Sequence, residues 1–212
     1  MQGFLTDIGQ FTLLLAFGLS CYSLLASLLA GKVGHRRLAS TGERAAVAVC
    51  GLVTLSVISL WYQLITSNFQ IQYVASSSNQ SMPWYYKLGA LWGGQEGSLL
   101  FWCWILTIFS MVTVLIHRNR HPRLMPYVVG VVAMVTTFFL LVNNFIVNPF
   151  DAIGVSRAGE APVLFTPPDG QGLNPLLQYW AMVIHPPILY VGYVGFTIPF
   201  AFAIAALITR EL

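Results

Sequence analysis

Five apolar runs, each long enough to cross a bilayer, decide most of what this chain can be. They lie near residues 8–30, 45–66, 98–116, 127–147 and 187–208. A hydrocarbon layer takes about 20 residues of helix. With no water in that layer, each backbone N–H and C=O needs a partner within its own segment, which a helix provides. Charge is scarce enough to agree: 8% of the 212 residues are charged and 57% are hydrophobic, whereas a soluble domain carries about 25% charged residues. The sequence therefore predicts an all-α integral membrane protein, a single membrane domain over residues 1–212 with five transmembrane helices. The first run is too long for a signal peptide, has only Asp7 as a charge before it, and lacks a small-x-small cleavage site. It reads as a span.

Lysine and arginine set the expected orientation, because they resist translocation. Lys32, Arg36, Arg37 and Arg44 fall between spans one and two; Arg118, Arg120 and Arg123 fall between spans three and four; Arg210 follows span five. Lys87 and Arg157 lie on the other side. The asymmetry predicts an outer N-terminus and a cytoplasmic C-terminus. It also accounts for the net charge of +3 without nucleic acid as a partner. No Asp, Glu, Lys or Arg lies well inside a span, which argues against a proton pump or ion-coupled transporter. Gln10, Gln63, Asn143 and Asn144 are the polar residues within spans and are expected to face other helices. Gly192, Gly195 and Pro199 predict close helix contacts and a bend in span five. Cys21, Cys50 and Cys103 read as small packing residues.

The two outer loops, residues 67–97 and 148–186, are much longer than the inner ones, and the working face is expected there. In the first, Ser81-Met82-Pro83 looks like a helix start. Trp84, Tyr85, Leu88, Leu91 and Trp92 then share a helical face until Gly93-Gly94. That face suits either an interfacial aromatic belt or a platform for the edge of a flat cofactor, with Glu96 making polar contacts. In the second loop, Asn174 and Pro175 suit a helix start. Leu173, Leu176, Leu177, Trp180, Ala181 and Ile184 make an amphipathic stripe, expected to lie in the interface. His185-Pro186-Pro187 is then expected to stop that helix, since a residue before proline is pushed from helical geometry. His185 would sit at a rigid corner, as an amphipathic anchor or as a ligand to a metal or haem iron. Asp151, Glu160 and Asp169 read as solvated loop charges. His35, His117 and His121 sit among arginines and read as part of the basic inner anchor, with a metal site at His117 and His121 as the alternative.

Three stretches carry a resemblance: LWGGQEGSLLFW at residues 91–102, NPF at 148–150, and GLNPLLQYWAMVIHPPILYVGYVGF at 172–196. Together they resemble the N-terminal region of the CcmF family, the haem lyase subunit of cytochrome c maturation, related to the CcsA-type haem handlers. The likeness extends along essentially the whole chain. It implies a component that accepts haem b, as a transient substrate, from a CcmE-like haem chaperone on the outer face. The haem would then be positioned for thioether attachment to the CxxCH motif of apocytochrome c. The family's HPP histidine matches His185, which implies an axial ligand to the haem iron, with Pro186 and Pro187 positioning it. The LWGxxEGS loop gives Trp92, Gly93, Glu96 and Gly97 a structural or haem-side role. The family's tryptophan-rich WWD segment and its other histidines are absent here. The resemblance therefore implies the N-terminal portion of a larger or split lyase, inactive alone. Its expected partners are the remaining WWD-bearing part, CcmH-like thiol-handling subunits and membrane lipid. The expected location is the bacterial inner membrane, or the mitochondrial inner membrane for a split subunit. The alternative reading is a cofactor-free membrane scaffold or docking subunit of a larger complex.

Overall fold

The computed structural model describes residues 2–117, 120–155 and 163–210; Arg118, Arg157 and Glu160 lie outside them. Among the described residues eight α-helices follow one another: α1 (Gln2–Val33), α2 (Arg36–Ile65), α3 (Gln72–Ser77), α4 (Trp84–Gly89), α5 (Gln95–His117), α6 (Met125–Phe145), α7 (Trp180–Gly195) and α8 (Thr197–Thr209). Among the described residues, five helical stretches are long and apolar enough to span: α1, α2, α5, α6, and α7 with α8 over Val183–Thr209. All five predicted runs are present, and four extend beyond their predicted ends by several residues at one or both sides. The additions are polar or glycine-containing turns that hydropathy does not mark, such as Arg36 to Arg44 at the head of α2.

α1 and α2 form the tightest pair. Their turn passes through Gly34, at φ +71, and His35 caps α2 by accepting the Leu38 N–H at 3.2 Å on Nδ1. Small residues line the seam: Ser23, Ala26, Ser27 and Ala30 are buried on α1, and Gly42, Ala45, Ala46 and Val49 on α2. Lipid supplies no hydrophobic force between spans, so close approach of small residues and polar contacts hold them together. The Ser23 hydroxyl donates to Gly42 O at 2.9 Å, and Ser20 Oγ lies 2.8 Å from Thr137 Oγ1 of α6. α5 closes the group against α2 and α6. The bundle interior is thus apolar side chains with hydroxyls at the crossings.

The intramembrane amides mostly behave as expected. Gln63 is fully buried; its Nε2 donates to Thr6 Oγ1 at 2.9 Å and its Oε1 accepts from Asn68 at 2.9 Å. Asn144 Nδ2 donates to Leu13 O of α1 at 3.2 Å. Gln10 departs from the expectation and is exposed. Near the end of α1 it has water or headgroups within reach, so burial is not required of it. Cys50 and Cys103 are buried free thiols, and Cys21 is half-buried and free.

The bend in the last span falls at Phe196, between α7 and α8. Pro199 explains it: the ring has no N–H for Gly195 O, four residues back, and crowds that carbonyl. Gly195 packs near the Phe109 ring, whereas Gly192 faces open space, so the expected close contact exists at one glycine of the two.

Candidate functional site at the loop end

The two long loops meet at the end of the bundle opposite the Lys32–Arg36 turn, and they interlock through their backbones. Gln72 N donates to Asp151 O at 2.8 Å and Ile153 N to Gln70 O at 2.9 Å. Further along, Gln171 N donates to Ala75 O at 2.7 Å, and the Asp169 carboxylate accepts the Gln80 N–H at 2.9 Å. A two-residue-per-strand ribbon, β1 (Gly154–Val155) with β2 (Val163–Leu164), extends the second loop. The NPF segment anchors its start. Asn148 Oδ1 accepts the Phe150 N–H at 3.0 Å, and the buried Phe150 ring packs on Gly9 of α1.

The glycine-rich stretch before α5 is held from below by Tyr73. Its phenol lies 2.6 Å from Ala90 O, to which it donates, and accepts the Gly94 N–H at 3.2 Å. Burial pushes this phenol above its ordinary range, so it stays a neutral donor. At Gly97 a Cβ would collide with Leu91 O and the Tyr73 hydroxyl, so this position has no room for a side chain. At Gly93 the obstacle is the Leu173 side chain from the other loop. Ser98, in the first turn of α5, donates its hydroxyl to Trp92 O at 3.1 Å.

Above this floor, Trp92, Gly93 and Pro186 meet. With Gly89, Leu173, Leu177 and Val183 they line a shallow notch of about 20 Å³, room for little more than one water. Trp92 leans on Phe101, centroids 5.1 Å apart. His185 neighbours this rim on α7 and is exposed. One turn on, at positions where helical side chains lie side by side, Ile188 and Leu189 are exposed at 63% and 51%. Trp180 and Ile184 continue this open apolar surface. Pro187 does not line the notch. Glu96 is half-buried and also lies outside the notch. Its charge is felt elsewhere: burial, then the Glu96 carboxylate, hold the Asp151 carboxyl above the usual range.

Several local predictions are corrected here. The helix does not stop at His185-Pro186-Pro187; α7 runs through all three residues. Pro186 and Pro187 have no N–H for the carbonyls of Met182 and Val183, yet both rings keep the helical φ that proline favours. The site is therefore a helix face with two undonated backbone positions beside His185, and not a corner. The expected interfacial helix before it does not form as one unit: only Trp180–Ile184 of it are α-helical, as the head of α7. Asn174 caps a single 3-10 turn at Pro175–Leu177, accepting the Leu176 N–H at 3.0 Å on its side chain. Gln178 then ties back, Nε2 to Leu173 O at 2.7 Å, and Tyr179 is extended before α7 begins. The stripe is split: Leu173 is buried and Leu176 is 80% exposed. In the first loop α4 starts where expected but ends at Gly89, with Leu91 and Trp92 in a following 3-10 turn, and the expected aromatic face is divided as well. Trp84 and Tyr85 are exposed while Leu91 is fully buried, so no single flat platform results.

Three polar residues of this end carry no motif in the sequence. Lys87 is buried and its ammonium donates to Ser67 Oγ at 2.6 Å; burial lowers its pKa, and Asp169 opposes that shift. Tyr73 likewise ties the first loop to itself, through Ala90 and Gly94, whereas Asp169 bridges the two loops through Gln80. Their partners are far away in sequence, and only the crowding of glycines at 93, 94 and 97 hinted at a close approach. Among the described residues, no three His, Cys, Asp or Glu side chains are grouped as a metal-binding cluster.

Five spans with interlocked loops and an exposed histidine on the last span define a multi-pass membrane protein with one elaborated end. The family model described as cytochrome C assembly protein matches residues 92–212. The chain belongs to that family. Relatives are cytochrome c-type biogenesis proteins: CcmF of Haemophilus influenzae, 32% identical over 98% of this chain; CcmF of Pseudomonas aeruginosa, 36% over 97%; and CycK of Rhizobium meliloti, 34% over 97%. The chain spans 29–31% of the length of these proteins. A solved structure of the cytochrome c haem lyase CcmF matches 98% of this chain and 31% of its own, with TM-score 0.80 and 23% identity. It shares the fold.

Proposed function

We propose that this chain is the N-terminal portion of a cytochrome c haem lyase, lying in a bacterial inner membrane or its organellar counterpart, with the loop end facing outward. On this reading His185 is an axial ligand to haem iron, and the haem is a substrate received from a chaperone and passed to the CxxCH thiols of apocytochrome c. The observation that carries the reading is the placement of His185. It is exposed at the loop end, beside a proline that lines the Trp92–Gly93 notch, within an open apolar helix face. A porphyrin is far larger than that notch. It would lie along the α7 face, with its other side covered by the remaining part of the lyase. Pro186 and Trp92 would fix the helix against the glycine loop; Gly93 and Gly97 would keep that loop low. Glu96 acts at a distance, through the negative potential it shares with Asp151. The protein orients the macrocycle while haem vinyl and cytochrome thiol supply the chemistry.

The test is co-expression of this chain with the WWD-bearing remainder, comparing retained haem in wild type and His185→Ala. A loss of most haem with intact assembly is expected. Equal haem in both supports the cofactor-free docking reading, which the open face of the last span also favours: 17% of its most apolar window is buried, against 61% in α6.

A further inference from the structure

A large cavity lies at the opposite end of the molecule from the candidate haem site. It is about 770 Å³ and opens between the α1–α2 turn, the start of α6 and the end of α8. Its cations come from three separate elements. Lys32 belongs to the last turn of α1, Arg36 begins α2, and Arg123 precedes α6. His35, the α2 cap, also lines it. The first turn of the 30-residue α2 faces the same space, and its N–H groups favour negative charge. One carboxylate opposes them. Glu43 lines the floor, two turns along α2 from Arg36, or about 10 Å inward, and is 7% exposed. Among the described lining residues, Lys32, Arg36 and Arg123 outnumber the one carboxylate, Glu43, so the mouth is positive.

A second feature says what kind of anion fits. Val33 lines this cavity and is 71% exposed. Leu29 and Leu25 follow it at intervals of four along α1, exposed at 52% and 61%. Residues four apart share a helix face, so an unpartnered apolar stripe runs from the basic mouth down the span. Pro126 and Tyr127 form the wall on the α6 side. A phosphate with a hydrocarbon tail matches both halves. We propose that this cavity is a binding site for the phosphodiester headgroup of an anionic phospholipid, with one acyl chain laid along Leu25, Leu29 and Val33.

The experiment is native mass spectrometry of the detergent-purified chain, supplied with equal phosphatidylglycerol and phosphatidylcholine. One phosphatidylglycerol is expected to be retained in preference. Lys32→Gln with Arg36→Gln is expected to weaken it roughly 30-fold, from about 1 kcal/mol per basic residue. Lys32→Gln alone, which is less disruptive to folding, is expected to weaken it roughly 5-fold. Arg37→Gln with Arg120→Gln removes equal charge outside the cavity and is expected to retain the lipid. Displacement of the lipid by excess inorganic phosphate supports the headgroup anion as the recognised part. Equal retention of both lipids overturns the proposal. So does equal loss in the two double variants, which would mean general attraction to a basic surface, and so does phosphate binding without lipid preference.

Discussion

The four-helix group of α1, α2, α5 and α6 and the terminal span of α7 and α8 are built from similarly apolar sequence and end in different conditions. The first group closes on itself. Its small residues let backbones approach, its hydroxyls meet across helix crossings, and Gln63 joins three segments at the loop end. The terminal span touches this group mainly along α6 and α5 and leaves most of its face open. The open face carries His185. On the proposed reading stability and chemistry are separated: the buried group fixes the loop end, and the exposed span presents His185, the proposed ligand, at its edge.

The comparison breaks most sharply at Gly97. Gly97→Val forces a branched side chain into Leu91 O and the Tyr73 hydroxyl, and is expected to destabilise by about 3 kcal/mol, the upper part of the overpacking range. A detergent thermal melt checks it. An unchanged midpoint would mean that the loop floor is not rigid. Tyr73→Phe comes next. It leaves the Ala90 carbonyl and the Gly94 N–H without this partner in a buried place, which costs about 1–3 kcal/mol, and should speed proteolytic cleavage between residues 89 and 95.

The terminal span should respond in the opposite way. Ile188→Ala and Leu189→Ala are expected to leave the isolated chain within about 0.5 kcal/mol of wild type, as for open surface sites, while reducing haem retention in the completed lyase. A large loss of stability in the isolated chain would place this face inside a core. The smallest effect is at Asp151. Its folded pKa is raised by burial and by Glu96, so its stabilising contribution is complete below the unfolded value near 3.9 and is lost as pH rises through the folded value. Above that window the charged form is penalised. Asp151→Asn is therefore expected to raise the melting midpoint slightly at neutral pH, by about 1 °C, and to have no such benefit at pH 3.

The spans were legible because twenty-residue apolar runs have few other solutions in lipid, and Gln63 was legible because a buried amide must find partners. The lower end of the molecule was legible only as charge: Lys32, Arg36 and Arg123 read as an anchor, and the cavity between them depends on how three helix ends meet. At the loop end, residue spacing misled. The stripe from Leu173 to Ile184 has helical periodicity, but Gln178 and Tyr179 divert the chain and send its members to different environments. The HPP run misled in the other direction, since Pro186 and Pro187 carry a φ that a helix accepts. His185 was singled out by the HPP run and by resemblance, and its exposure followed only from the fold of α7.

The most direct test of the account is ligand replacement at His185. In the completed lyase, His185→Gly should lose the haem absorption band, and added imidazole should restore it by filling the vacated position on the iron. A wild-type spectrum in His185→Gly without imidazole, or a folded and assembled variant that no concentration of imidazole rescues, would contradict the assignment.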